Sequence, residues 1–332
     1  MRSCRLTKRI QRTRVNKAGH RRRSKKPRGR DINGILVLDK QAGVTSNGAL
    51  QVAKRMFGAA KAGHTGSLDP LATGVLPLCF GEATKFSQFL LDSDKRYLTR
   101  IKLGVTTETG DADGEVVEEA PVPALSEADL EAVLAQFRGE ISQVPSMYSA
   151  LKHEGQPLYK LAREGIVVDR PARQITIFDL TLAEFSENEL VLDVTCSKGT
   201  YIRTLAEDIG KVLGCGAHVT ELRRLAAGPF TIECAKTLDD LGDLKTEGGF
   251  DALDQLILPV SEAVGDWPEV VLPELTAGYF RQGQPVQVAK APVEGWIRIF
   301  QEATDGEEKK FLGVGEIAED GKVAPRKLVA LP

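Results

Sequence analysis

The sequence lacks the motifs of most cofactor-dependent and hydrolytic enzymes. It contains no GxGxxG before a helix, no GxxxxGK[ST], no GxSxG and no HExxH. The five cysteines form no CxxC pair and the four histidines are dispersed, so the spacing of metal ligands is missing. We therefore expect no cofactor and no metal, and the scattered cysteines favour reduced, buried thiols in a cytoplasmic protein.

Long apolar runs are also missing. No run reaches the roughly 18 residues that a membrane-spanning helix needs, and the N-terminal segment has no apolar stretch typical of a secretory signal. We therefore expect no membrane partner. With 42% hydrophobic and 27% charged residues in 332 positions, the composition is typical of a globular protein with one large or two ordinary domains.

The net charge of −2 conceals an uneven distribution. Residues 1–30 hold 14 of the 44 Lys and Arg residues and no acidic residue. Such a segment cannot bury a core, so we predict a basic disordered arm over residues 1–30. A basic arm on an acidic body indicates a polyanionic partner, although a solubilising tail or a misassigned start would give the same composition.

Hydrophobic periodicity predicts many strands, few helices and no regular βαβ alternation. Helices are predicted at about 45–57, 82–91, 126–139 and 205–213. Strands are predicted at 34–40, 78–80, 95–103, 174–180 and 189–196, and a small all-β module follows Trp267.

The stretch Gly63–Pro77 departs from these patterns because it holds three glycines and two prolines. Glycine-dense runs form poor helices and strands, and Pro70 favours an extended conformation at Asp69. We expect Asp69 on an irregular loop among apolar side chains, where an ionised carboxylate needs a partner. A loop in which Asp69 only caps a turn is the simpler alternative.

Arginine and tyrosine side chains could complete such a site. Arg203 can pair bidentately with a carboxylate, and in extended geometry it points the same way as Tyr201. The rings of Tyr97 and Tyr201 could stack on a base. The alternatives are a surface position for Arg203 and ordinary strand packing for the tyrosines.

Two weaker motifs favour ordinary structure. Gly110–Gly114 faintly resembles a calcium loop, but its glycine comes too early, so we predict a hairpin turn. Ser149 and Lys152 match the SxxK pattern of some serine hydrolases, yet the companion motifs of those enzymes are missing.

Several long stretches resemble the bacterial tRNA pseudouridine synthase B (TruB) family. They are GHTGSLDPLATGVLP from Gly63, GEATKFSQFLLDSDKRY from Gly81, GDADG from Gly110, VPSMYSALKHEGQPLYKLAREG from Val144, CSKGTYIRTLAEDIG from Cys196, CGAHVTELRRL from Cys215 and LGVGEIAEDGKVAPRKL near the C-terminus. The resemblance covers the chain from Asp31 onward. Many long matches in one order are far more specific than any single motif.

The resemblance implies an enzyme that isomerises uridine-55 in the T loop of tRNA to pseudouridine without cofactor or metal. It implies an α+β fold with a mixed, mainly antiparallel sheet in a catalytic domain over residues 31–262. An insertion at about 105–180 would grip the RNA. A small β-barrel-like, PUA-type RNA-binding module would occupy residues 265–332, and we expect a monomer.

The resemblance also implies catalytic roles for three residues. Asp69 would be the catalytic carboxylate, which either forms a covalent intermediate or abstracts a sugar proton. Arg203 would pair with Asp69. Tyr97 would lie against the flipped base and is a candidate for the later proton transfer.

Further residues would bind the RNA. Tyr201 and Leu222 would help to form the uracil pocket, and His64 would fill the space that the extruded nucleotide leaves. Lys40 and Lys85 would contact RNA or the protein framework. Two rivals stay open: a relative acting on another RNA, such as the guide-dependent ribosomal enzymes, and a tRNA-binding folding chaperone in which catalysis is secondary.

Overall fold

The structure, a computed structural model, describes residues 29–289, 291–303 and 308–330. The arm predicted over residues 1–30 lies outside the described part except for Gly29 and Arg30, which belong to the fold. Arg30 pairs with Ala59 through the backbone, and its guanidinium binds the Asp254 carboxylate and covers the Phe250 ring. The predicted domain boundaries and the insertion stay a prediction.

Strands outnumber helices among the described residues. The strands are β1 (Gly34–Lys40), β2 (Ala62–His64), β3 (Thr73–Phe80), β4 (Lys95–Leu103), β5 (Val105–Thr107), β6 (Val116–Glu119), β7 (Gly139–Gln143), β8 (Lys152–His153), β9 (Gln156–Pro157), β10 (Arg173–Phe185), β11 (Glu189–Cys196), β12 (Ala217–Ala227), β13 (Phe230–Thr231), β14 (Glu269–Leu272), β15 (Trp296–Gln301), β16 (Lys310–Ile317) and β17 (Val323–Leu328). The α-helices are α1 (Ser46–Phe57), α2 (Ser87–Asp92), α3 (Glu127–Leu134), α4 (Leu158–Arg163), α5 (Ile202–Leu213), α6 (Leu238–Asp254) and α7 (Glu274–Arg281).

One sheet of nine strands forms the centre of the molecule. Its main path runs β1-β3-β12-β4-β11-β10-β7, with β2 beside β3 and β13 beside β12. Its strand pairs are antiparallel except for β3 with β12. The predicted mixed, mainly antiparallel sheet is confirmed, and β4 covers the predicted range 95–103. The Gly110–Gly114 segment lies in the turn between the paired strands β5 and β6, as predicted.

Helix α1 begins and ends where the sequence predicts. The Thr45 hydroxyl oxygen accepts a hydrogen bond from the Gly48 N–H at 3.0 Å, and Gly58 closes the helix with φ 62°. The segment predicted as one helix at 82–91 instead divides into a 3₁₀ turn at Gly81–Lys85 and helix α2.

Helix α5 begins at Ile202, earlier than the sequence predicts, so Arg203 does not have extended backbone geometry. The Leu205 N–H bonds the Tyr201 carbonyl at 3.0 Å, so Arg203 lies in the first helical turn. The prediction that both side chains extend from one strand is therefore wrong. Ile202 is buried in the same core as Leu205 and Ile209, and burial of this apolar stripe favours the earlier start.

The chain after Trp267 forms a second sheet in the order β14-β15-β16-β17. The described residues of this module make an open sheet, not a closed barrel. Phe89, in α2, packs against Trp267 and Trp296 with ring centroids 4.9 and 5.5 Å apart, which holds α2 against this module. None of the described helices is long and apolar enough to cross a membrane.

Candidate active site

The loop around Asp69 connects β2 to β3 and is held by hydrogen bonds on both sides of the carboxylate. The Ser46 hydroxyl accepts from the Leu68 N–H at 2.8 Å and donates to the Leu68 carbonyl at 3.0 Å. The buried Lys40 ammonium donates to the Pro70 carbonyl at 3.2 Å. The predicted irregular loop is therefore present and is fixed in one conformation by α1 and β1.

Asp69 faces Arg203, which is 5% exposed. The Arg203 Nε lies 3.0 Å from the Asp69 Oδ2, and its Nη1 lies 3.4 Å from the Asp111 Oδ2. Nη1 also donates to the Thr109 carbonyl at 2.7 Å, and Nη2 donates to the Tyr148 carbonyl at 2.9 Å. One guanidinium thus joins the Asp69 loop to the turn before Asp111 and to the segment after β7.

The charges around Asp69 compete. Burial raises the pKa of the Asp69 carboxyl, Arg203 and Lys40 oppose that shift, and Asp111 adds to it. Burial also lowers the pKa of Lys40 to about 8, while Asp69 acts in the opposite direction. Arg203 and Lys40 are therefore the cations that favour the ionised form of Asp69.

Asp69 opens into a cavity of about 330 Å³, within the roughly 300–1,000 Å³ typical of small-molecule sites. The cavity brings together the predicted residues Tyr97, Tyr201, Arg203 and Leu222. Burial raises the pKa of both tyrosine hydroxyls, so the phenols are neutral at neutral pH. Two aromatic rings and a leucine beside a carboxylate can hold a flat base against a reactive oxygen.

The backbone of Tyr201 is held by a buried amide. The Gln143 side chain, at the end of β7, accepts from the Tyr201 N–H at 2.9 Å and donates to the Tyr201 carbonyl at 3.1 Å. These bonds fix Tyr201 at the N-terminus of α5, next to Arg203. The N-terminus of α5 thus positions both the Tyr201 ring and the Arg203 cation that pairs with Asp69.

Three predicted residues lie outside this cavity lining, namely Lys40, which holds the Pro70 carbonyl, and the two residues His64 and Lys85. His64 pairs with Leu78 across β2 and β3, and burial, followed by the charge of Arg224, lowers the pKa of its imidazole. Lys85 bonds Glu82 and the Leu328 carbonyl near the C-terminus, which is a framework contact. A role of either side chain on RNA stays a prediction.

Three residues of the site are not predicted from the sequence. Asp111 is 4% exposed and shares Arg203, although its motif predicts only a turn. Lys95 and Arg224 line the cavity, and both are buried. Strand alternation could have found Arg224, because it lies two residues after Leu222 on β12 and shares its face.

The predicted burial of the thiols holds for Cys79, Cys196 and Cys215 but is wrong for Cys234, which is exposed at the end of a 3₁₀ turn. The short turn after β13 leaves this side chain at the surface. Over the described ranges, no group of three or more His, Cys, Asp or Glu side chains could hold a metal ion.

Comparison with known protein families gives three consecutive matches. The TruB family pseudouridylate synthase N-terminal domain matches residues 54–202, and the tRNA pseudouridylate synthase B C-terminal domain matches residues 203–265. The C-terminal domain of pseudouridine synthase II TruB matches residues 268–329. These matches run from α1 to the last strand.

Individual relatives agree with the family matches. The tRNA pseudouridine synthase B of Serratia proteamaculans (strain 568) is 55% identical, covering 91% of this chain and 96% of its own. That of Pseudomonas aeruginosa (strain UCBPP-PA14) is 56% identical over 90% and 97%. A solved Cbf5-Nop10-Gar1 complex matches with a TM-score of 0.68 at 27% identity, covering 89% of this chain and 84% of that chain. The chain therefore belongs to the TruB family of pseudouridylate synthases.

Proposed function

We propose that this protein isomerises uridine-55 in the T loop of tRNA to pseudouridine, with Asp69 as the catalytic carboxylate. The chain is a tRNA pseudouridine synthase, an isomerase, as the curated relatives that share about half of its residues are named. The observation that carries the proposal is the Asp69–Arg203 pair at 3.0 Å at the edge of a cavity walled by Tyr97, Tyr201 and Leu222.

The reaction begins with extrusion of the target base. A base inside a folded T loop must be flipped out, which costs a few kcal/mol. The rings of Tyr97 and Tyr201 and the Leu222 side chain offset this cost by contacting the extruded uracil. His64, on β2 at the start of the Asp69 loop, fills the gap that the base leaves in the RNA.

The chemical step follows from the fixed carboxylate. Asp69 either attacks to form a covalent intermediate or abstracts a sugar proton, and in both cases it must be ionised. The glycosidic bond breaks, the uracil turns, and its C5 rejoins the sugar carbon. Arg203 and Lys40 hold the Asp69 loop, so catalysis rests on positioning. The chemistry needs no cofactor or metal.

The substrate and setting are part of the proposal. The T stem-loop of tRNA is the RNA partner, and the enzyme acts as a monomer in the cytoplasm. Action on another RNA, as in the guide-dependent enzymes, is the less favoured alternative. This chain is 55% identical to a tRNA pseudouridine synthase B and 27% identical to the matched chain of the Cbf5 complex. A folding chaperone is the second alternative, and it predicts RNA binding that does not need Asp69.

The test uses a synthetic T stem-loop RNA with one target uridine. Wild-type protein is expected to convert this uridine to pseudouridine, read by mass spectrometry after derivatisation and by tritium release from C5. A matched RNA with cytidine at the target position is the control and should give no product. Binding of the stem-loop without any product from wild-type protein would favour the chaperone and reject the proposal.

A further inference from the structure

Arg224 is a buried cation that forms no ion pair with a carboxylate of the described residues. Its side chain is 1% exposed, although charged side chains are almost never fully buried unless they are paired. Its Nε donates to the Val75 carbonyl at 2.6 Å, and its Nη2 donates to the Gly66 carbonyl at 3.0 Å. These bonds satisfy part of the guanidinium but leave its charge without a counter-ion.

Arg224 lies directly opposite Tyr97 in the sheet. The two residues are register partners on β12 and β4, both line the cavity beside Asp69, and the positive charge of Arg224 acts on the Tyr97 hydroxyl. Gly74 allows β3 to lie close to the Arg224 backbone, because a Cβ there would lie 2.2 Å from the Arg224 carbonyl oxygen. The bond from Nε to the Val75 carbonyl ties the arginine side chain to β3.

The neighbours of the Tyr97 hydroxyl act on its pKa in opposite directions. Burial raises the pKa of Tyr97, and the charge of Arg224 opposes this shift. Cys196 and Asp69 also face the ring and favour the neutral phenol. Arg224 therefore favours negative charge on the Tyr97 oxygen.

We propose that Arg224 is a positioning residue that holds Tyr97 as the base removing the C5 proton after the uracil has rejoined the sugar. The proposal rests on the proposed function. In this step the Tyr97 hydroxyl oxygen takes the proton from C5 while its own proton passes to water. The C–H electron pair forms the C5=C6 double bond, the N1=C6 electrons move to N1, and N1 takes a proton from water.

The test compares Arg224→Met with wild type in single turnovers on the T stem-loop, using uridine and 5-deuterouridine at the target. Removing the cation is expected to slow the reaction about 100-fold and to raise the deuterium isotope effect about twofold or more, because C5 deprotonation becomes limiting. Tyr97→Phe should raise the isotope effect as well. In the double variant the two losses should not multiply, because both residues act on one step.

Two controls separate this role from loop anchoring. Arg223→Met removes the neighbouring guanidinium, which binds Asp39 instead, and should leave the isotope effect unchanged. Arg224→Lys keeps a charge and should retain more activity than the methionine variant. If Arg224→Met does not fold, Arg224→Lys is compared with wild type in the same way. It should then raise the isotope effect by less than Tyr97→Phe does.

The outcomes distinguish the two proposals. No product from wild type would reject the proposed function itself. A second outcome is product from wild type together with slow Arg224 variants that show an unchanged isotope effect. If their loss of rate also multiplies with that of Tyr97→Phe, only the role of Arg224 is rejected.

Discussion

The guanidinium of Arg203 serves two carboxylates, with Nε 3.0 Å from the Asp69 Oδ2 and Nη1 3.4 Å from the Asp111 Oδ2. Because the cation is shared, it does not fully offset the burial of Asp69, whose pKa stays raised. Two of the remaining N–H groups of Arg203 bind the carbonyls of Thr109 and Tyr148. Arg203 therefore supports both the charge and the shape of the site.

Replacing Arg203 with methionine is expected to damage both properties. The substitution leaves Asp111 buried without its cation, and breaking such a pair typically costs about 3–5 kcal/mol of unfolding free energy. Activity should fall about 100-fold or more as Asp69 loses its position. Urea unfolding and single-turnover assays measure these effects. Arg96→Met, which breaks an exposed pair with Asp193, is the control and should cost less than about 1 kcal/mol.

Asp69→Asn is expected to preserve or raise stability at pH 8. The pKa of the Asp69 carboxyl is raised in the folded state, so the folded protein binds this proton more tightly than the unfolded chain does. The free energy of unfolding linked to this proton therefore falls as pH rises through the folded pKa. Asparagine does not titrate and avoids this loss, and Arg203 keeps Asp111 as partner. Thermal unfolding should show an advantage at pH 8 that shrinks towards about pH 4, the ordinary range of the carboxyl. A variant clearly less stable than wild type at pH 8 would contradict this account.

Lys40→Met is expected to change the alkaline dependence of stability. The pKa of Lys40 is lowered to about 8, so between that pH and the ordinary lysine value the unfolded chain binds more protons. Stability linked to Lys40 therefore rises with pH in this window, by up to about 1.4 kcal/mol per pH unit. Urea unfolding between about pH 8 and 10 should show a smaller slope in the variant, and an equal slope would contradict the prediction.

The structure also shows which parts of the site the sequence could predict. Helix α1 and strand β4 follow local signals, namely a Thr45 cap and strict alternation around Tyr97. The pairing of Asp69 with Arg203 could be expected, because an ionised carboxylate among apolar side chains needs a cation. These inferences depend on neighbouring residues or on one strong chemical requirement.

The rest depends on contacts between distant segments. The sequence predicts only a turn at Asp111, since nothing near it in sequence indicates that Arg203 pairs with it. The register of β12 against β4, which places Arg224 opposite Tyr97, is likewise set by the whole sheet. The family resemblance supplied the substrate, which neither periodicity nor spacing could indicate.

Deleting residues 1–28 is expected to weaken tRNA binding mainly at low salt. This segment carries 13 of the basic residues, and each phosphate contact adds to the salt dependence of affinity. Arg30 is kept in the deletion because it binds Asp254. Affinities measured at about 50 and 200 mM salt should give a smaller slope for the deletion, with unchanged single-turnover rates. An unchanged slope would favour the solubilising-tail reading.

The most direct test of the account is the single-turnover conversion of the T stem-loop uridine by Asp69→Asn. The variant keeps the size of the side chain and removes its charge, so RNA affinity should stay within a few fold of wild type. The account predicts no detectable pseudouridine from this variant under conditions in which wild type converts all of the RNA. Pseudouridine formation by Asp69→Asn at a rate near that of wild type would contradict the assignment of Asp69 as the catalytic residue.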